Sequence, residues 1–197
     1  MSPIIFKNEG RERAKNTMYE NGYKLIKKHG IKKTLVEDIT KVTGIAKGTF
    51  YNFFESKEMF IYEIIMYKRS CIKSRLNQII LEKGRLDRES LKSFIIDLTF
   101  GDNNIYNYLN NEDIAALELK VPSSTSSKAF DQDIALMILN SIEVQDRNNC
   151  DYKIIANYIK ILSLALSNKN KLNEEVLQPT IDLIINSVLD YIYVKIK

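Results

Sequence analysis

Lys47-Gly48-Thr49-Phe50-Tyr51-Asn52 is the stretch of this 197-residue sequence whose side chains suit recognition chemistry. A lysine ammonium donates to guanine acceptors or to phosphate, and an asparagine amide pairs with a base edge or a phosphate. Tyrosine adds a rigid ring with a hydroxyl tip. Glycine lets a backbone or a thymine methyl come close. At 100° per residue, Lys47, Gly48, Tyr51 and Asn52 share one side of a helix, and Ala46, Thr49, Phe50 and Phe53 share the other. The first side is polar with a gap in it. The second suits a core against Leu25, Ile39 and Val42. A surface helix with no reading role has the same two-faced pattern.

Covalent chemistry has no comparable candidate. The sequence has no nucleophile–base pair, glycine-rich phosphate loop or metal-ligand cluster, so no catalytic residue, cofactor or metal is expected and an all-helical enzyme is disfavoured. The sole histidine, His29, reads as a helix-end or phosphate-side residue. Cys71 and Cys150 are isolated, which fits a reducing compartment and excludes a disulfide framework.

The six residues need a scaffold, and the pattern around them is helical. A first helix is expected over about residues 8–29, with Ala14, Met18, Gly22, Leu25 and Ile26 on one face and Gly30 as its stop. Thr34 to Glu37 reads as a capping box for a second helix over about 35–43, with Ile39 and Val42 inward. Gly44-Ile45 makes a tight turn into a third helix over about 46–53. Two short helices joined by a glycine turn form a helix-turn-helix, whose second helix enters the DNA major groove. Ser56 caps a fourth helix to about residue 82. Lys57, beside the orphan N–H groups of that helix, is a candidate phosphate contact. Lys32 and Lys33 are placed to add two more.

The charge distribution agrees. Residues 1–57 carry 12 Lys and Arg against 6 Asp and Glu, and the remainder carries 17 against 19, within a net charge of +4. A basic end on a near-neutral body suits a polyanion, with nucleic acid ahead of a membrane surface. A hydrophobic content of 45% supports a real core at this length. The most apolar long segment, VLQPTIDLIINSVLDYIYV, is interrupted by Asp182, Asn186 and Asp190, and the amino terminus has no signal-peptide run. A soluble, cytoplasmic protein without a membrane partner is expected.

ThrLeuValGluAspIle at 34–39, GlyIleAlaLysGlyThrPheTyrAsnPhePhe at 44–54 and SerLysGlu at 56–58 resemble the signature of the TetR family of bacterial repressors. The resemblance covers about residues 10–60. It implies an all-α homodimer of about nine helices, with a helix-turn-helix head over 1–54 and an effector-binding and dimerisation body over 55–197. It implies that positions matching Lys47, Gly48, Thr49, Tyr51, Phe53 and Lys57 lie at or near DNA, and that a ligand in the body releases a palindromic operator. Phe53 stands where many members carry a polar residue, so it is left out of the candidate set. That set is Lys32, Lys33, Thr34, Lys47, Gly48, Thr49, Tyr51, Asn52 and Lys57. Glu37 is assigned to capping.

In the body, helices are expected over about 87–100, 106–110, 111–120, 130–144, 151–167 and 173–195, capped by Asp87, Asn111, Asp151 and Asn173. The loop VPSSTSSK covers 121–128, and Pro179 kinks or starts the last helix. Tyr62, Met66, Phe94, Leu98, Tyr106, Leu117, Met137 and Tyr158 are candidates to line a pocket for a small-molecule effector of unknown identity, with plain core as the alternative. The last two helices are apolar on more than one face. Ile155, Ile159, Leu162, Ile181, Ile185, Val188 and Ile192 are therefore candidates for a dimer interface, with a central core as the alternative. The expected function is a ligand-responsive transcriptional regulator, and a DNA-binding adaptor controlled by a protein partner is the second reading.

Overall fold

The computed structural model describes residues 8–101, 104, 105, 108, 109, 111–119, 127–143 and 150–193. Those residues form helices and connecting turns, without strands. They divide into two compact units. One holds the chain up to Tyr67 together with Glu112–Val121, and the other holds Lys68–Asn111 with the remainder.

The first unit contains α1 (Asn8–Lys33), α2 (Val36–Thr43), α3 (Lys47–Phe53), the start of α4 (Lys57–Lys83) and α6 (Asn111–Glu118). Gly30 interrupts α1 with a φ of 75°, so the break falls at the glycine expected to stop it, and a further turn follows to Lys33. Gly44 closes α2 in the left-handed conformation, and its N–H donates to the Thr40 carbonyl. The Ser56 hydroxyl accepts from the Met59 N–H at 3.1 Å, which starts α4 as expected.

The start of α2 differs from expectation by one residue. Leu35 occupies the cap position, and the Asp38 carboxylate accepts its N–H at 3.2 Å. Thr34 is fully buried, and its hydroxyl donates instead to the Gly30 carbonyl at 2.8 Å. The reciprocal Thr34–Glu37 capping box is therefore not formed. Val42, expected inward, is 50% exposed, and Ala46 is exposed as well. Ile39 and Phe50 are the inward residues of α2 and α3, both at zero exposure.

Aromatic rings hold α3 in place. Phe50, Phe54 and Phe60 are mutual neighbours, with centroids 5.2, 5.2 and 4.7 Å apart, and Tyr19 of α1 reaches Phe54 at 5.9 Å. A seven-residue helix is marginal alone, and burial of this size, about 1.5–3 kcal/mol for each large apolar side chain, stabilises it from outside. Gly22 makes room for the cluster, because a Cβ there would lie 2.5 Å from Phe60 Cζ.

The second unit contains the rest of α4, α5 (Arg88–Phe100), α7 (Ser127–Ser141), α8 (Tyr152–Ser167) and α9 (Leu177–Tyr193). Asp87 caps α5 by accepting from Ser90 N–H at 2.7 Å, and Asp151 caps α8 by accepting from Lys153 N–H at 2.8 Å. α7 begins three residues earlier than expected. Asn173 does not cap α9. Two short 3-10 turns, Lys169–Lys171 and Glu174–Val176, precede it, and Pro179 sits in its first turn, where its missing N–H costs nothing. Of the expected 106–110 helix, Tyr108 and Leu109 are described and neither is helical, and most of the 121–128 loop lies outside the described residues.

The core of this unit is aliphatic. Ile155, Ile159 and Leu162 of α8 and Ile181, Ile185, Val188 and Ile192 of α9 are all at most 5% exposed within the single chain. This corrects their assignment to a dimer interface, because side chains buried in their own core have no surface left to give a partner. The apolar residues on the outer sides are Ile154, Ile161 and Leu164 of α8 and Leu183 of α9.

Candidate nucleic-acid interface

The polar face of α3 is open. Lys47, Gly48, Tyr51 and Asn52 are exposed, Thr49 is half-buried, and Phe50 anchors the opposite side. A Cβ added at Gly48 would meet nothing within 4 Å. Nothing in the fold therefore requires glycine there, and its helical conformation would suit alanine better. Tyr51 stands edge-on to Phe50 at 5.4 Å, which fixes its ring while leaving it 48% exposed.

Lys47 is not alone on this face. Its Nζ donates to Glu37 Oε1 of α2 at 2.6 Å, with both side chains more than half exposed. The hydrogen bond from Lys47 holds the Glu37 carboxyl below its usual range, and the same bond raises the Lys47 ammonium. Glu37 thus serves Lys47 rather than the helix cap to which the sequence reading assigned it.

The other candidates divide. Lys32 reaches Glu112 at 3.3 Å, with both side chains exposed, and Lys33 is exposed. Thr34 is sealed in the core and has no surface for DNA, which corrects its place in the candidate set. Lys57 is half-buried and donates to the carbonyls of Ile31 at 3.2 Å and Thr34 at 3.0 Å, so it ties the start of α4 to the end of α1. Two of its three donors are thereby committed inside the head.

Arg11 is a residue the sequence reading missed. Its guanidinium lies 4.7 Å from the Phe53 ring centroid and donates to the Asn52 carbonyl at 3.2 Å. It caps the end of α3 and brings a positive charge to the edge of the polar face. Its position 41 residues before Asn52 hides this partnership from any local pattern.

In the second unit, Phe94 and Leu98, two of the candidate pocket residues, lie beside surface clefts. Arg75, Ile79, Ser93, Phe94, Ile96, Asp97 and Phe100 line a cleft of about 470 Å³. An adjoining recess of about 180 Å³ shares Arg75, Phe94 and Asp97 and adds Cys71 and Leu98. Met137 and Tyr158 pack against the body core instead, with the Tyr158 hydroxyl 3.0 Å from Ser187 Oγ. Tyr62, Met66 and Leu117 belong to the first unit and do not line the cleft. Tyr106 lies outside the described residues. Among those described, no helix is long and apolar enough to cross a membrane.

Residues 18–64 match the model of the bacterial regulatory proteins, tetR family, a span that contains α2, α3 and the start of α4. No curated protein matches the chain. Among solved structures, the fatty acid degradation regulator FadR from Bacillus halodurans is 17% identical, with 87% of this chain and 94% of that one covered and a TM-score of 0.60. The reduced form of E. coli NemR is 14% identical, with 91% and 95% covered and a TM-score of 0.55. At these identities the likeness is one of fold. Residues 18–64 thus form a helix-turn-helix head similar to that of the bacterial regulatory proteins of the tetR family, and the likeness in sequence is shown for that segment.

Proposed function

We propose that the protein is a ligand-responsive repressor that binds a palindromic operator as a homodimer in the cytoplasm and leaves it when a small molecule occupies the body. One observation carries the reading. α3 buries Phe50 completely and turns Lys47, Gly48, Tyr51 and Asn52 outward as one open, polar face. Fluorescence anisotropy with the DNA flanking its own gene, against a scrambled duplex, tests it. Selective binding with two subunits per site is expected. Binding equal to the scrambled control, followed by no enrichment from a random library, overturns it.

The effector site in this reading is the cleft between α4 and α5. Arg75 and Asp97 set opposite charges among Ile79, Phe94, Ile96 and Phe100, which suits an amphipathic ligand with a polar end. A ligand binding the native state raises thermal stability, so a thermal-shift screen with operator release as the second readout identifies it.

The dimer surface in this reading is the outer side of α8 and α9. Ile154, Ile161 and Leu164 recur at helical spacing on α8, Leu183 is 71% exposed on α9, and the Tyr158–Ser187 contact joins the two helices on that side. Leu183→Glu should give a monomer by analytical ultracentrifugation and weaken operator binding by at least tenfold. A dimer that persists unchanged would move the interface elsewhere.

A further inference from the structure

Glu37 places a negative charge on a face meant for a polyanion, 2.6 Å from the lysine best placed to read it. Capping does not explain it, because Asp38 accepts the Leu35 N–H. Stability does not explain it either, since exposed ion pairs contribute little. The pair has a consequence for binding instead. A lysine already neutralised by a carboxylate gains little from a phosphate and releases no counterion there. The carboxylate is also repelled from DNA unless a donor receives it, and in the major groove the cytosine amino group is the base donor that suits it.

We infer that Glu37 is a specificity-determining residue of the reading face. It holds Lys47 back from indiscriminate phosphate contact, and the pair is accepted where guanine acceptors meet Lys47 and a cytosine amino group meets Glu37. The inference rests on the reading of α3 as the DNA-reading helix. Affinity for any one sequence is lowered so that the gap between cognate and other sequences widens.

The test uses Glu37→Gln, which keeps the shape and removes the charge, in the full-length protein. The probes are a duplex selected from a random library by the wild-type protein and a scrambled duplex of equal length. The variant should bind the scrambled duplex several-fold more tightly. Its salt dependence should steepen by about one unit per subunit, which for a dimer is about a tenfold larger loss between 50 and 200 mM salt. Its preference for the selected duplex should fall. The steepening should vanish when Lys47→Ala is added, because the lysine that would release the counterion is gone.

If Glu37→Gln keeps the wild-type salt slope and preference while Lys47→Ala still weakens selective binding, Glu37 has no such role and α3 still reads DNA. Steepening that survives Lys47→Ala also overturns the inference, because the carboxylate then acts on the DNA without the lysine. If the wild-type protein enriches no sequence at all, the reading of α3 has failed first, and the inference falls with it.

Discussion

The two units of this chain solve the same packing problem with different side chains. The head must hold helices of eight and seven residues, α2 and α3, and the body holds helices of 13 to 17. A seven-residue helix has only about two inward positions, so each must bury a large surface. The head answers with Phe50, backed by Phe54, Phe60 and Tyr19. The body distributes the work over many isoleucines and leucines, and among its described residues Phe94 is the one aromatic in the buried core. Concentrated anchoring frees the rest of α3 for polar residues. Distributed anchoring leaves no single body position so decisive, and it leaves room for a cleft beside α5.

The sharpest way to break this comparison is to remove one anchor from each unit. Phe50→Ala should cost about 3–5 kcal/mol and abolish operator binding, while most of the helical circular dichroism remains in the body. Leu189→Ala, also at zero exposure, should cost about 2–5 kcal/mol and lower the main thermal transition. If Phe50→Ala leaves operator affinity intact, α3 is not held by its aromatic anchor.

A smaller effect separates the units by pH. Burial pushes the Asp131 carboxyl of α7 up to about 6, against the pull of the Lys160 and Arg69 charges. Its folded value lies above the unfolded one, so the native state holds the proton more tightly. The penalty for ionising it is absent at low pH and grows as pH rises from about 4 to 6. Asp131→Asn should therefore gain about 2 kcal/mol on the wild type at pH 7 relative to pH 4, once solvent screening is allowed for. An equal difference at both pH values would show that the carboxyl titrates normally. No such group is found among the fully buried residues of α2 and α3, so operator-free head stability should not share this dependence.

The smallest effect is the most diagnostic. Gly48→Ala should stabilise the head by about 0.5–1 kcal/mol, because a Cβ there meets nothing and alanine is the better helix former. Operator binding should fall at the same time. Loss of stability would mean that the glycine serves the fold after all.

How much of this was visible in the sequence also differs between the units. Two short helices around Gly44, the burial of Phe50 and the caps at Ser56, Asp87 and Asp151 follow from local rules, and each is formed. The capping of α2 missed by one residue because Thr34 and Asp38 can both serve a helix start, and burial of Thr34 decided between them. The Glu37–Lys47 pair and the Arg11 contacts are tertiary, which no local spacing reveals. In the body, the last two helices are apolar nearly all round, so periodicity identified buried helices without saying which side faces their own core. Ile185 and Leu183 differ by two positions and by about 160° around α9, and only the packing shows that the first is inside.

Gly48 has a consequence for how such a protein can change its target over time. Most positions in a small head are constrained twice, by folding and by function, so a change that suits a new target first damages the scaffold. Gly48 escapes the first constraint, since the space above it is empty. After a gene duplication, one copy can add a Cβ there without a compensating change in the core. The opening on α3 is therefore a place where divergence between regulators can begin at low risk, with the aromatic anchor beneath it left untouched.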